Sequence, residues 1–362
     1  MGHGQRALEG LGVSLWRGKR VLLTGHTGLK GAWAARWLAR MGAEVTGLAL
    51  PPEPGPNLFD ILGTGHLAAS HLADLRDADA VARIVAEAAP EVVLHLAAQP
   101  LVRLSYADPV LTFGSNVMGT VHLLDALNRY AAPRVVVVVT SDKVYANDGT
   151  GRAYAEGDRL GGHDPYSASK AATEVVVQSF RQAYFDAKAV PVVTARGGNV
   201  IGGGDFSADR LVPDLVRALA ARVPLTLRNP QATRPWQHVL DCLAGYFRYA
   251  EALMAGETLP PALNFGPEAG GPPVTVKALA AELQRAMGAE VTYRQDQSAG
   301  PHEMPLLSID PSLAIARLGW RPKLSAEATV ALTAAWYGQW LTGGNAAAET
   351  DRQIALYQDQ TP

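Results

Sequence analysis

Tyr166 and Lys170 stand four residues apart in the run Tyr166-Ser-Ala-Ser-Lys170, so on a helix they share one face. An ammonium beside a phenol stabilises the phenolate and lowers its pKa, making a base that can deprotonate an alcohol near neutral pH. Upstream lies Thr140-Ser141-Asp142-Lys143. Ser141 there could orient an alcohol by a hydrogen bond. Asp142 and Lys143 add a second acid/base pair, which simple alcohol oxidation does not need. Lysines are only seven of the 32 cationic Lys and Arg side chains, so a lysine in such a motif carries more information than usual.

These groups need a scaffold, and the first half of the chain supplies one. Short apolar runs at Arg20–Thr24, Glu44–Ala49, Val92–Leu96, Val135–Thr140 and Val192–Arg196 read as strands. Helical patterns at Lys30–Met41, Ala78–Ala88, Asn116–Arg129 and Tyr166–Tyr184 lie between them. Continuous apolar strands alternating with helices predict an α/β fold, a doubly wound parallel sheet covered on both faces. Ligands then bind at the carboxyl ends of the strands. After residue 200 the pattern loosens, with prolines at 213, 224, 230 and 235. Leu263–Phe265 reads as a strand returning to the sheet, Val274–Met287 as a helix, and the tail as helical from about Ser325.

The first strand runs into Gly25-His-Thr27-Gly28-Leu29-Lys30-Gly31, which opens a helix. Glycines allow a tight turn and let backbone N–H groups approach a pyrophosphate at the positive helix end. The Gly-x-x-Gly-x-x-Gly spacing resembles the short-chain dehydrogenase/reductase superfamily. An acidic residue ending the second strand, which would hold ribose hydroxyls, is missing, so that position does not choose between NAD and NADP. Asp74-Leu75 is expected at the adenine edge and Leu96-Ala97-Ala98-Gln99 beneath the adenosine half.

Composition excludes other classes. A net charge of −2 supplies no field to recruit nucleic acid or an anionic membrane. The single cysteine, Cys242, excludes an intrachain disulfide framework and a Cys-rich metal site, and reads as a small apolar residue on a helix. No metal site is expected. Residues 1–18 contain no apolar stretch long enough for a signal peptide, and no run approaches a membrane span, so a cytoplasmic enzyme is expected.

Several blocks narrow the resemblance to the CDP-glucose 4,6-dehydratases. They are His26-Thr-Gly-Leu-Lys-Gly-Ala-Trp33, Ala98-Gln-Pro-Leu-Val-Arg103, Asn116-Val-Met-Gly-Thr-Val-His-Leu-Leu124, Thr140–Lys143, Gly161–Lys170, Gly198–Asp205 and Arg234-Pro-Trp-Gln-His238. The likeness extends from about residue 16 to 340. It implies an extended short-chain dehydrogenase that keeps NAD bound and dehydrates CDP-glucose to CDP-4-keto-6-deoxyglucose. C4 is oxidised, water is eliminated across C5 and C6, and C6 is reduced by the hydride taken from C4. The resemblance makes Tyr166 the base for the 4-hydroxyl, Lys143 the base at C5 and Asp142 the acid for the leaving hydroxyl. Asn116 would contact the cofactor and support a proton-relay water, while Arg103, Asn199, Arg210, Arg234 and His238 would face the substrate. The dTDP-glucose dehydratases carry Asp-Glu where this chain has Asp142-Lys143. The chain departs from the pattern of the family it resembles at Val144 and Ala146, where Cys and Glu are usual, at Gly197-Gly198 for Ala-Gly, and at Leu29 for an aromatic.

The expected organisation is an NAD-binding domain over 16–200 with a returning segment at 237–266. A nucleotide-sugar domain would span 201–236 and 267–345, with 1–15 and 346–362 as flexible or peripheral ends. A homodimer is implied, through helices near 116–129 and 166–184. The alternatives are another nucleotide-sugar 4,6-dehydratase, an epimerase, which needs no Asp-Lys doublet, or a non-catalytic NAD-binding regulator.

Overall fold

The computed structural model describes residues 12–268, 274–295 and 306–359. Its centre is a parallel sheet of seven strands. These are β1 (Arg20–Thr24), β2 (Glu44–Ala49), β3 (Ala69–Leu72), β4 (Val92–His95), β5 (Val135–Val139), β6 (Val192–Gly197) and β7 (Ala262–Phe265). Their order is β7-β6-β5-β4-β1-β2-β3, so the topology reverses between β1 and β4. That switch point opens a crevice at the carboxyl ends of the strands.

Side-chain alternation explains why the apolar runs are continuous. Val21 and Leu23 of β1 join one core while Leu22 joins the other; Val135, Val137 and Val139 of β5 separate in the same way from Val136 and Val138. The longer helices are α1 (Leu29–Arg40), α2 (Ala78–Ala88), α3 (Gly119–Tyr130), α4 (Pro165–Phe180), α5 (Leu211–Ala221), α6 (Val239–Met254), α7 (Val276–Ala286), α8 (Ala326–Leu341) and α9 (Ala346–Asp359). α2 and α3 cover one face, and α1 and α6 the other. Every residue of α6 is buried, which explains Cys242 as packing.

The sequence-predicted strands and helices are present, with two local changes. A wider π turn at Gly114–Met118 leads into α3, and another at Arg181–Phe185 extends α4. β3 was not expected: Ala69-Ser-His-Leu72 is half-exposed edge strand without a β-branched run.

The smaller lobe is built on α5, α7 and a parallel pair of short strands, Leu225–Leu227 with Tyr293–Gln295. The expectation of a flexible or peripheral end over 346–362 is corrected for Ala346–Asp359, which is α9. Ile354 and Tyr357 are buried, Tyr357 packs edge-on against Trp37 at 5.4 Å, and its hydroxyl donates to Asp241 at 2.7 Å. Arg36 of α1 grips Asp351 through two hydrogen bonds, of 2.6 and 2.8 Å. Residues 1–11 and 360–362 of the predicted ends lie outside the described residues.

Candidate active site

A cavity of about 1230 Å³ fills the crevice and is lined from both lobes. Single-ligand pockets run to roughly 1,000 Å³, so this one has room for a cofactor and a substrate together.

The glycine loop forms its floor. Gly25 has φ +80°, and a Cβ there would stand 2.8 Å from the Ala97 nitrogen. A Cβ on Gly31 would come within 2.0 Å of the Gly25 carbonyl oxygen. At Gly28 the nearest atom is 3.6 Å away, so the backbone is open to the cavity where α1 begins. α1 has no side-chain cap, which leaves its first N–H groups for an anion. Thr27 donates to the Leu50 carbonyl at 3.0 Å, tying the loop to the end of β2. Gly25, Thr27, Gly28, Leu29, Lys30, Gly31, Asp74, Leu75, Leu96, Ala97, Ala98 and Gln99 all line the cavity. The loop therefore fits a dinucleotide diphosphate.

Asn116 does not line it. Its amide is consumed: Oδ1 accepts from Gln99 N at 2.7 Å, and Nδ2 donates to Gln99 O at 3.1 Å and Ser169 Oγ at 2.8 Å. It braces the loop after β4 from behind, a correction to the expected cofactor contact.

Ser141-Asp142-Lys143 form a tight turn just past β5, on the crevice side of the sheet. Ser141 caps that turn, accepting from Lys143 N at 3.1 Å and donating to Asp142 Oδ1 at 3.0 Å. α4 brings Tyr166 and Lys170 opposite. It starts there because Pro165 fixes its first turn and Asp164 with Ser167 forms a capping box. Lys143 Nζ lies 5.9 Å from the centre of the Tyr166 ring. Lys170 Nζ donates to the Val139 carbonyl at 3.1 Å.

Burial dominates the electrostatics. It pushes the Tyr166 phenol up to about 12, opposed by the neighbouring Ser141 side chain, with the Asp142 charge adding to the rise. It pushes Lys170 down to about 7, helped by Lys30 and opposed by Glu174. The predicted lowering of the phenol by Lys170 is thus not what the protein alone produces, because desolvation of the phenolate outweighs it. Asp142 is raised by burial, opposed by Lys143, Ser141, Arg234 and Lys30, and its Oδ2 has no hydrogen-bond partner among the described residues. That shift is toward the acid form, which a general acid requires.

Arg103, Asn199, Arg210 and Arg234 also line the cavity. Arg210 pairs with Asp205 at 3.0 Å. Arg228, which the sequence reading missed, joins them: it hydrogen-bonds Asp209, and Arg103 reaches the same carboxylate at 3.8 Å. Arginine forks on the cavity wall suit the paired oxygens of a nucleoside diphosphate. His238 is a further correction. It is fully buried, accepts from Leu240 N at 3.2 Å as the cap of α6, and packs edge-on against Trp33.

Comparison with known proteins agrees with this geometry. The model of the NAD dependent epimerase/dehydratase family matches residues 21–266. A CDP-glucose 4,6-dehydratase of Salmonella typhimurium is 40% identical, covering 96% of this chain and 98% of that one. A dTDP-glucose 4,6-dehydratase of Xanthomonas campestris is 29% identical over 73% of this chain and 77% of its own. Among solved structures, the UDP-glucose 4-epimerase of Thermus thermophilus in complex with NAD superposes with a TM-score of 0.74. It is 26% identical and covers 88% of this chain and 98% of its own.

Proposed function

Since the chain belongs to the NAD dependent epimerase/dehydratase family and, within it, to the CDP-glucose 4,6-dehydratases, we propose that it removes water from CDP-D-glucose to give CDP-4-keto-6-deoxy-D-glucose. It is a hydro-lyase. The glycine loop and the start of α1 hold the diphosphate of NAD. When bound, NAD would supply the hydride acceptor for C4 and the donor for C6, and its cationic ring would favour the Tyr166 phenolate.

Tyr166 takes the proton of the 4-hydroxyl, which Ser141 orients. The resulting ketone acidifies the neighbouring C5 proton, and Lys143 removes it. Asp142 protonates the departing 6-oxygen. The arginines 103, 210, 228 and 234, with Asn199, hold the nucleotide diphosphate so that the hexose lies over the Ser141-Asp142-Lys143 turn. The single observation that carries this reading is the Lys143 amine, directed at the Tyr166 ring from the cavity wall.

Purified protein incubated with CDP-glucose, dTDP-glucose and UDP-glucose tests it. A product lighter by one water, formed fastest from CDP-glucose, is expected. An isomer of unchanged mass indicates an epimerase, and no conversion a binding protein.

The protein is proposed to work as a homodimer. Val110, Phe113 and Met118 before α3, with Val175 and Tyr184 on and beyond α4, form exposed apolar surface on the two helices expected to pair. Sedimentation of the parent and of Val175→Glu tests this, with only the variant expected as a monomer. Substrate and cofactor are charged molecules that do not cross a bilayer unaided, which supports the cytoplasm as the compartment. Activity confined to a membrane or external fraction would overturn that.

A further inference from the structure

Beyond the glycine loop the cavity wall passes to residues that follow β2 and β3, neighbours at one edge of the sheet. They are residues 50–54, 56–58 and 73–75. In a doubly wound fold the adenosine ribose of a dinucleotide lies on this side, and an acid at the end of the second strand accepts from its hydroxyls. Here β2 ends at Ala49, and Leu50, Pro51 and Pro52 follow. None of them has an acceptor side chain.

Two carboxylates stand on these stretches, Glu53 and Asp74. Asp74 is spent: Oδ1 accepts from Arg76 N at 2.8 Å, and Oδ2 accepts from Arg76 Nε and Nη2 at 2.9 and 2.6 Å. The Asn57 amide is closed on Asp60 and Gly55 in the same way. Glu53 is exposed and has no hydrogen bond or ion pair among the described residues. It stands on a stiff strap. Prolines 51, 52, 54 and 56 fix their own φ angles and disfavour a helical turn at Leu50 and Glu53, which precede prolines. Both ends of the strap are tied. The Thr27 hydroxyl donates to the Leu50 carbonyl at 3.0 Å, and Leu58 packs against Gly204, where a Cβ would stand 2.6 Å from it. A carboxylate held this way loses little freedom when a ligand binds.

We propose that Glu53 takes the part of the missing β2 acid, accepting from the adenosine ribose hydroxyls of NAD and turning away the 2′-phosphate of NADP. A ribose offers two O–H donors, and an ionised carboxylate only accepts, so the two match. A 2′-phosphate has lost that donor and brings negative charge toward the carboxylate, so the two repel. No lysine or arginine stands on residues 49–58 or 73–75 to receive the phosphate, and the Arg76 guanidinium just beyond is held by Asp74. The inference concerns the choice of cofactor, which an epimerase makes as much as a dehydratase, so it goes beyond the reaction proposed above and does not depend on it.

Calorimetric titration of the full chain, freed of bound dinucleotide, tests it with three probes: NAD, NADP, and NAD lacking the adenosine 2′-hydroxyl. The parent is expected to bind NAD at least ~10-fold more tightly than either of the others, the lower end for a hydrogen bond to a charged group. In Glu53→Ala, NAD and its 2′-deoxy analogue should bind equally, because the group that tells them apart is gone. Glu53→Gln keeps an acceptor oxygen but no charge, and its preference for NAD over NADP should fall ~10-fold. Glu53 contacts no partner, so both variants should unfold at the parent's temperature. A parent that binds all three probes alike overturns the proposal. So does a Glu53→Ala variant that still separates NAD from the 2′-deoxy analogue as the parent does, or a preference over NADP that both variants retain. None of these outcomes bears on loss of water from CDP-glucose, which the product assay reads separately.

Discussion

Lys143 Nζ and the Tyr166 ring centre are 5.9 Å apart, although one residue follows β5 and the other opens α4. The two bases of the proposed reaction thus address one small volume, where a single hexose would present its C4 and C5. An epimerase or a simple dehydrogenase has no use for the first of them.

Replacing Lys143 by Ala should therefore abolish elimination while leaving oxidation at C4. The expected loss in product formation is about 10²–10⁴-fold, the range for one positioned base. Enzyme-bound NADH should still appear by absorbance, and C5 deuterium from solvent should not. Unchanged product formation would remove Lys143 from the mechanism.

Acid should weaken the fold through its buried histidines. Burial holds His26 at about 4 and His95 and His238 at about 3, all below the ordinary 6.5. Between those values the unfolded chain binds protons that the native state does not, so stability falls as pH drops below 6.5. Asp241, raised to about 6 by burial, opposes this, as do Asp142, Glu156, Asp214 and Glu251, which burial raises too. His238→Asn keeps a capping acceptor for α6, so its stability should fall less steeply, by about 1.4 kcal/mol per pH unit between pH 6 and 4. Urea unfolding at several pH values measures the slope; parallel lines would show that His238 is not buried neutral.

Glu174 and Arg196 form an ion pair in which each side chain is 5% exposed. The carboxylate also accepts from Thr140 and Thr194, at 2.6 and 2.8 Å, which ties α4 to the ends of β5 and β6. Glu174→Ala strands a buried guanidinium and should cost about 3–5 kcal/mol. The double variant Glu174→Leu/Arg196→Met should be more stable than the single one. Denaturant titration checks both, and a single-variant cost below about 1 kcal/mol would contradict the pair's burial.

Gly197 has a reason visible only in three dimensions. A Cβ there would stand 2.3 Å from the Tyr246 hydroxyl oxygen, on a ring packed edge-on against Phe265. Gly197→Ala should destabilise by about 1–3 kcal/mol through overpacking, and Tyr246→Phe in that background should recover part of it. Additive effects of the two changes would rule out the coupling.

Much of this was legible in the chain, for physical reasons. Apolar runs and helical periods alternate because both faces of the sheet are covered, and the glycine loop advertises itself because only glycine fits between β1 and β4 at Gly25. Tyr166 with Lys170 follows from helix geometry alone. What stayed hidden depends on distance in space rather than in sequence. Arg228 and Arg103 meet at Asp209 from separate elements. β3 carries no β-branched signal, and His238 looks like any motif histidine until its ring is seen under α6. The phenol of Tyr166 rises instead of falling because desolvation is a property of the assembled core.

The contact of Tyr357 with Trp37 and Asp241 has a consequence for biosynthesis. A ribosome releases α1 more than three hundred residues before the helix that covers its outer surface. Strand β7, which borders β6, is also made late. The amino-terminal half therefore emerges with an apolar flank uncovered and must either wait, shielded, or stay unfinished until translation is almost done. Vectorial folding, domain by domain, is closed to this chain.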